Sequence, residues 1–129
     1  LSFCDIASFN QQGFETAFEK PFSMDAVHDL LNYGPEIILV TRGAKGVVAA
    51  NKDEVVEVEA YEVPVRDTTG AGDTFNAAFL FATIHGYDLE KSVQFGNAAS
   101  AILIQTMGTR TQLPTPNVIK KFMIEHNNR

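Results

Sequence analysis

The sequence predicts an α/β fold, and three of its features carry that prediction. Ile37-Ile38-Leu39-Val40 is a short, largely β-branched run, apolar on both faces, the mark of a central strand in a parallel sheet covered on both sides. Gly46–Ala50 and Val55–Glu59 follow as two strands around the polar turn Asn51-Lys52-Asp53-Glu54. Beyond them, the glycine-rich stretch Asp67 to Asp73 leads into an apolar helix. Strand, helix and hairpin in this order give a layered α/β architecture.

Each element has a local cause. Leu1 to Phe9 is short and apolar and reads as a buried strand, and Gln11 to Phe18 reads as a short helix. Ser23 is a favourable N-cap, and Asp25 lies in the first turn, where a carboxylate meets the positive end of the helix dipole. Val27, Leu30 and Leu31 follow at helical spacing until Gly34-Pro35 ends the helix. In Val55–Glu59, Val56 and Val58 alternate with Glu57 and Glu59, giving the strand one wet face. Thr74 to His85 is apolar nearly all round and is expected to be buried, with Gly86 as its natural terminator. Asp88 caps a further helix running to about Gln105, small and apolar from Ala98 to Ile104. Thr115-Pro116 opens a last helix whose Val118, Ile119 and Phe122 are expected to face the core.

Composition narrows the function classes. The 129 residues carry 10 basic and 16 acidic side chains, a formal net charge of −6, with a pI near 4.9. So acidic a chain is not expected to bind nucleic acid or an anionic membrane surface. No apolar run approaches the roughly 18 residues that a membrane span needs. A lone Cys4 forms neither an internal disulfide nor a thiolate metal site, so the expected address is a reducing cytoplasm. The chain opens on Leu1 inside an apolar element, which leads us to expect further sequence upstream.

The residues with the most chemical content are DTTGAGDTFNAAFL, Asp67 to Leu80. Two glycines flanking a small residue at the head of a helix free consecutive backbone N–H groups to face an anion, which the helix dipole also favours. A carboxylate immediately after such a cradle would repel a bound phosphate unless it had a task beside one. The natural task for Asp73 is to take the proton of a hydroxyl attacking phosphorus, while the amides stabilise the transferred charge. An ordinary glycine-rich loop with Asp73 as a dipole-friendly helix starter would use the same residues. His28, His85 and His126 are scattered and read as solvated or packing residues; Phe75, Phe79 and Phe81 fall at core-helix spacing. No G-x-x-x-x-G-K-S/T loop and no G-x-G-x-x-G after a strand is present, which excludes a P-loop NTPase and a dinucleotide fold.

This stretch resembles the C-terminal signature of the ribokinase family, the PfkB-type carbohydrate kinases. ILVTRGAKGVV, Ile38 to Val48, resembles the family's strand followed by a T-x-G-x-x-G nucleotide loop. FGNAASA, Phe95 to Ala101, resembles its adenine-side helix, and Met107-Gly108 with Leu113-Pro114 its closing loop. The resemblance implies a ribokinase-like three-layer α/β/α sandwich with a mainly parallel sheet, of which residues 1–129 are the C-terminal, nucleotide-binding portion. It implies an ATP-dependent kinase moving the γ-phosphoryl group, with Mg²⁺, onto a primary hydroxyl of a small sugar or sugar derivative. Asp73 would be the base and would meet the sugar hydroxyl, with Gly70, Ala71 and Gly72 as the anion hole. Thr41, Gly43 and Gly46 would touch the nucleotide. Asn97 falls beside adenine, unless it is a core amide. Asp67, Thr69 and Gly108 match a monovalent-cation site, K⁺ in many members, although Asp67 is equally a turn residue.

Two departures accompany the resemblance. Where many members have N-x-x-E, this chain has Asn10-Gln11-Gln12-Gly13, with Glu15 two positions late; this puts the metal arrangement in question. Gln112 also replaces a small hydroxyl residue of some relatives near the cation loop. Members of the family are more than twice as long, and most of their sugar pocket and lid lies in the N-terminal half. The chain is therefore expected to be inactive alone and to pair with that half or with a second copy, because a sheet cut in half exposes a strand edge. The alternative is a non-catalytic nucleotide-binding fragment or a degenerate regulatory relative. Ribose, fructose, a keto-deoxy sugar acid and a nucleoside all remain open as acceptors, with the signature leaning towards ribokinase or fructokinase.

Overall fold

The computed structural model describes residues 6–19, 21–65, 70–105 and 114–127. The chain divides into two compact units, Leu1–Glu59 and Ala60–Arg129.

The first unit is a four-stranded sheet with helices. Strand β1 (Ile6–Asn10) passes into helix α1 (Gln11–Phe18), whose N-cap Asn10 accepts a hydrogen bond from the Gly13 amide at 2.6 Å. Ser23 caps α2 (Met24–Asp29), its Oγ accepting from the Ala26 amide at 3.0 Å, and a 3₁₀ turn over Leu30–Tyr33 completes the descent. Strand β2 (Ile37–Thr41) lies parallel to β1, with Ile6 opposite Ile37. Strands β3 (Val47–Ala50) and β4 (Val55–Val58) form the expected hairpin and extend the sheet in the order β1-β2-β3-β4. Among the described strand pairs, β1–β2 is parallel, while β2–β3 and β3–β4 are antiparallel. Asn51 makes the hairpin turn, its Oδ1 accepting from the amides of Asp53 and Glu54, each at 2.9 Å.

Hydrophobic burial holds this unit together. Ile38, Val40, Val48 and Ala50 from the sheet pack with Phe14, Val27 and Leu30, and Phe9, Phe18 and Phe22 join at the margin. Phe14 sits against Phe9, Phe18 and Phe22 with ring centroids 5.2–6.1 Å apart, in the edge-to-face and tilted arrangements that aromatic quadrupoles favour. Ile38, Leu39 and Val40 of β2 are all buried, so both faces of the strand are dry as the sequence predicted. In β4, Val56 and Val58 are half-buried while Val55 and Glu57 are exposed.

The second unit is helical. α3 (Ala71–Ile84), α4 (Leu89–Ile104) and α5 (Pro116–Asn127) pack around Ala78, Ala82, Phe95, Ala98, Ala99, Ile119, Phe122 and Met123. α3 ends at Gly86, whose φ of +88° suits the left-handed turn, with Tyr87 N–H donating to the Ala82 carbonyl at 3.0 Å. Asp88 caps α4 by accepting from the Lys91 amide at 2.8 Å, and Thr115 Oγ1 accepts from the Val118 amide at 3.3 Å at the head of α5.

Three expectations are corrected here. α3 starts at Ala71, three residues before Thr74, because Gly70 adopts φ +80° as N-cap and delivers the chain straight into a helix. It is not buried all round: Leu80 and Ile84 are 47% and 71% exposed, and the buried stripe is Thr74, Phe75, Ala78, Phe79 and Ala82. In α5, Val118 is 49% exposed and Met123 takes its place in the core beside Ile119 and Phe122, a spacing of three and four residues that keeps one helix face inward. Among the described residues no helix is long and apolar enough to cross a membrane.

Candidate active site

The predicted site residues fall in both units. Thr41, Gly43 and Gly46 belong to the β2–β3 connection of the first. The chain leaves β2 at Thr41, makes a 3₁₀ turn over Gly43–Lys45, and returns into β3. Arg42 N–H donates to the Gly46 carbonyl at 2.8 Å, and Gly46 N–H to the Gly43 carbonyl at 3.1 Å. Gly43 has φ +58° and Gly46 φ +98° with ψ −147°, conformations that side chains resist. Among the described residues outside the turn, no atom lies within 4 Å of where a Gly43 Cβ would stand. Thr41 Oγ1 donates to the Phe9 carbonyl at 3.4 Å, a long bond that ties β2 to β1.

The Arg42 side chain, unremarked at the sequence level, is the most connected polar group of this turn. Its Nε donates to Gln11 Oε1 at 3.1 Å, one of its terminal nitrogens to Glu57 Oε2 at 3.1 Å, and its guanidinium carbon lies 4.6 Å from the centre of the Phe22 ring.

Gly70, Ala71, Gly72 and Asp73 form the head of α3 in the second unit. The first intrahelical bond is Thr74 N–H to the Gly70 carbonyl at 2.9 Å. The amides of Gly70, Ala71, Gly72 and Asp73 therefore precede the helical ladder and have no partner within the helix, and they lie at the positive end of its dipole. Asp73 is exposed in that first turn. Among the described residues, no atom lies within 4 Å of where a Gly72 Cβ would stand. The expected anion hole of Gly70, Ala71 and Gly72 is thus a set of unladdered amides, and Asp73 contributes both its amide and its carboxylate.

Two residues that motif reading passed over brace this turn. Ser100 Oγ on α4 donates to the Ala71 carbonyl at 2.9 Å. Gly96 lets α3 and α4 meet: a Cβ there would stand 2.7 Å from two atoms of the Phe75 ring and 3.1 Å from the Phe75 carbonyl oxygen. Their signal was the run of small residues in FGNAASA, which marks a close helix contact without naming the partner. Asn97, between them in sequence, is 7% exposed and has interaction partners within the chain, as a buried amide requires. Among the described residues, the cavity of about 240 Å³ between α3, α4 and α5 is lined by one polar side chain, Thr74, and otherwise by apolar ones.

Asp67, Thr69 and Gly108, the expected cation ligands, lie outside the described residues, as does Gln112. The described residues hold no cluster of three or more His, Cys, Asp or Glu able to bind a metal ion. Glu15, the carboxylate nearest the Asn10–Gly13 stretch, accepts a hydrogen bond from the Phe22 amide at 2.8 Å, and Gly13 supplies no side chain. Among the described residues, Asn10 to Gly13 and Glu15 supply no set of protein ligands for Mg²⁺.

Comparison with known proteins agrees with the resemblance read in the sequence. The chain is 33% identical over 132 residues to a ribokinase of Haemophilus influenzae, covering 98% of this chain and 42% of that protein. It is 37% identical over 92 residues to a nucleoside kinase of Methanocaldococcus jannaschii, covering 70% of this chain and 30% of that protein. It superposes on the structure of Arabidopsis thaliana ribokinase complexed with ribose and ATP with a TM-score of 0.83 at 28% identity, covering 92% of this chain and 40% of that one. The fold is therefore the ribokinase-like α/β fold, and the chain spans well under half the length of these relatives. The pfkB family carbohydrate kinase model matches residues 1–116, so this chain belongs to the pfkB family of carbohydrate kinases.

Proposed function

We propose that residues 1–129 are the nucleotide-binding, base-bearing part of an ATP-dependent kinase that phosphorylates a primary hydroxyl of a small sugar or sugar derivative. The observation that carries this reading is the head of α3: unladdered amides at Gly70 to Asp73, an exposed Asp73 carboxylate, and no described atom within 4 Å of a Gly72 Cβ. Asp73 takes the hydroxyl proton as the acceptor oxygen bonds to the γ-phosphorus. The bond from that phosphorus to the β,γ-bridging oxygen breaks, and ADP leaves with the electron pair. The amides of the turn stabilise the negative charge on the transferred group; they are fixed before the reaction, so no reorganisation is needed at the moment of transfer. The Thr41–Gly46 turn holds the nucleotide, its two glycines allowing close approach of backbone to ligand. Asn97, buried on α4, stands beside the adenine. Asp67, Thr69 and Gly108 hold a monovalent cation.

The relatives' names include ribokinases, nucleoside kinases, a 6-phosphofructokinase and 5-dehydro-2-deoxygluconokinases and so leave the acceptor open; we infer a ribokinase- or fructokinase-like substrate from the TTGAGDTFN signature. A coupled ADP-release assay on the full-length protein, against ribose, fructose, 2-keto-3-deoxygluconate and adenosine with and without K⁺, tests the reading. Turnover with one acceptor is expected, with a dependence on K⁺. ATP binding without turnover on a broad acceptor panel would favour a regulatory relative, and no ATP binding would overturn the proposal.

A further inference from the structure

We propose that Arg42 is the positioning residue of the nucleotide turn: its side chain, held by Gln11, Glu57 and Phe22, fixes the backbone that meets the nucleotide. The inference rests on the reading of Thr41–Gly46 as that turn. Arg42 is 17% exposed by its side chain, and every polar contact it makes goes to a different element. Gln11 belongs to the first turn of α1, Glu57 to the edge strand β4, and Phe22 to the segment before α2. Its backbone closes the turn at the same time, through the bonds Arg42 N–H to Gly46 O at 2.8 Å and Lys45 N–H to Arg42 O at 3.1 Å. One residue thus links the turn's backbone to three surrounding elements.

Chemistry explains why arginine suits the place. A guanidinium presents donors in a rigid planar fork and a flat face for an aromatic ring, so it satisfies Gln11, Glu57 and Phe22 in one orientation. A lysine ammonium is a point charge on a flexible stem and reaches one of these partners at a time. The Gly43 and Gly46 conformations give the turn freedom that a β-hairpin of ordinary residues lacks, and Arg42 removes that freedom where a nucleotide would otherwise have to.

The test is the kinetics of Arg42→Met in the full-length protein, with ATP and acceptor varied separately. The expected result is a KM for ATP raised about tenfold, the equivalent of about 1.4 kcal/mol, with kcat and acceptor KM within about twofold. Arg42→Lys recovers less than half of the loss. Glu57→Gln, which keeps the acceptor oxygen and removes the charge, raises the ATP KM about two- to threefold, and its effect vanishes in the Arg42→Met background. An Arg42→Met protein with a normal ATP KM, or one in which kcat falls and both KM values rise together with a loss of thermal stability, overturns the proposal. Should Arg42→Met not fold, Gln11→Ala and Glu57→Gln decide: a raised ATP KM in either supports it, and no change in both overturns it. Gly43→Val separates this inference from the reading beneath it. If Gly43→Val raises the ATP KM while Arg42→Met does not, positioning by Arg42 fails and the nucleotide turn stands; if Gly43→Val also leaves it unchanged, both fail.

Discussion

The two glycine-rich turns of this chain are held by opposite means. Around Gly43 and Gly46 the ties are long polar side chains, with Arg42 reaching Gln11, Glu57 and Phe22. Around Gly70 the ties are short and close to the backbone: Ser100 on the Ala71 carbonyl, Leu103 beneath Gly70, and Gly96 admitting the Phe75 ring. The first arrangement fixes the turn from outside, through one rigid guanidinium fork shared among three partners. The second fixes it from beneath, through a packed helix contact that has no slack for an added carbon. Both suit the proposed division of labour, in which one turn grips the nucleotide and the amides of the other need fixed positions to stabilise a transition state.

Substitutions that break this contrast rank by expected effect. Gly70→Val forces a β-branched residue into φ +80°, which costs about 1–2 kcal/mol and displaces the first amides of α3. We expect kcat in the full-length protein to fall by about two orders of magnitude with the ATP KM changed far less, read by steady-state kinetics. Gly96→Ala comes next. Its Cβ meets the Phe75 ring at 2.7 Å, so thermal or urea unfolding should register about 1–3 kcal/mol of overpacking, and Phe75→Leu in the same chain should return part of it. Ser100→Ala removes one 2.9 Å hydrogen bond, worth about 0.5–1.5 kcal/mol, and should lower kcat several-fold by loosening the Ala71 turn. Glu57→Ala is the smallest in stability terms. Glu57 is 48% exposed by its side chain, and exposed ion pairs contribute about 0–1 kcal/mol, so its unfolding midpoint should barely move. A Glu57→Ala loss larger than that of Gly96→Ala would reverse the contrast between the two turns.

The sequence was most legible where the structure depends on neighbours along the chain. Ser23, Asp88 and Thr115 cap the helices expected of them, and Asn51 turns the expected hairpin, because caps and tight turns are made within three or four residues. The Gly-Ala-Gly-Asp stretch stood out in the sequence, yet the start of α3 did not. Glycine has poor helix propensity, so Ala71 and Gly72 read as loop until Gly70 is seen in its left-handed conformation. Burial on α3 was overread for a related reason: a helix with Leu80, Phe81 and Ile84 shows no polar face to mark its outside, so composition alone does not separate exposed Leu80 and Ile84 from buried Phe79 and Ala82. Val118 and Met123 exchange places because both lie near the edge of the apolar stripe of α5. The roles of Arg42, Gly96 and Ser100 were hidden altogether. Each depends on a partner 15 or more residues away, and nothing local distinguishes a bracing arginine from a solvated one.

The central claim is that Asp73 is the proton acceptor for phosphoryl transfer at the head of α3. The most direct test is Asp73→Asn in the full-length protein, with single-turnover phosphoryl transfer and ATP affinity measured on the same preparation. The account predicts a transfer rate lower by about 10²–10⁴ with ATP affinity within about threefold of the parent. A transfer rate near that of the parent, with ATP still bound, would contradict it.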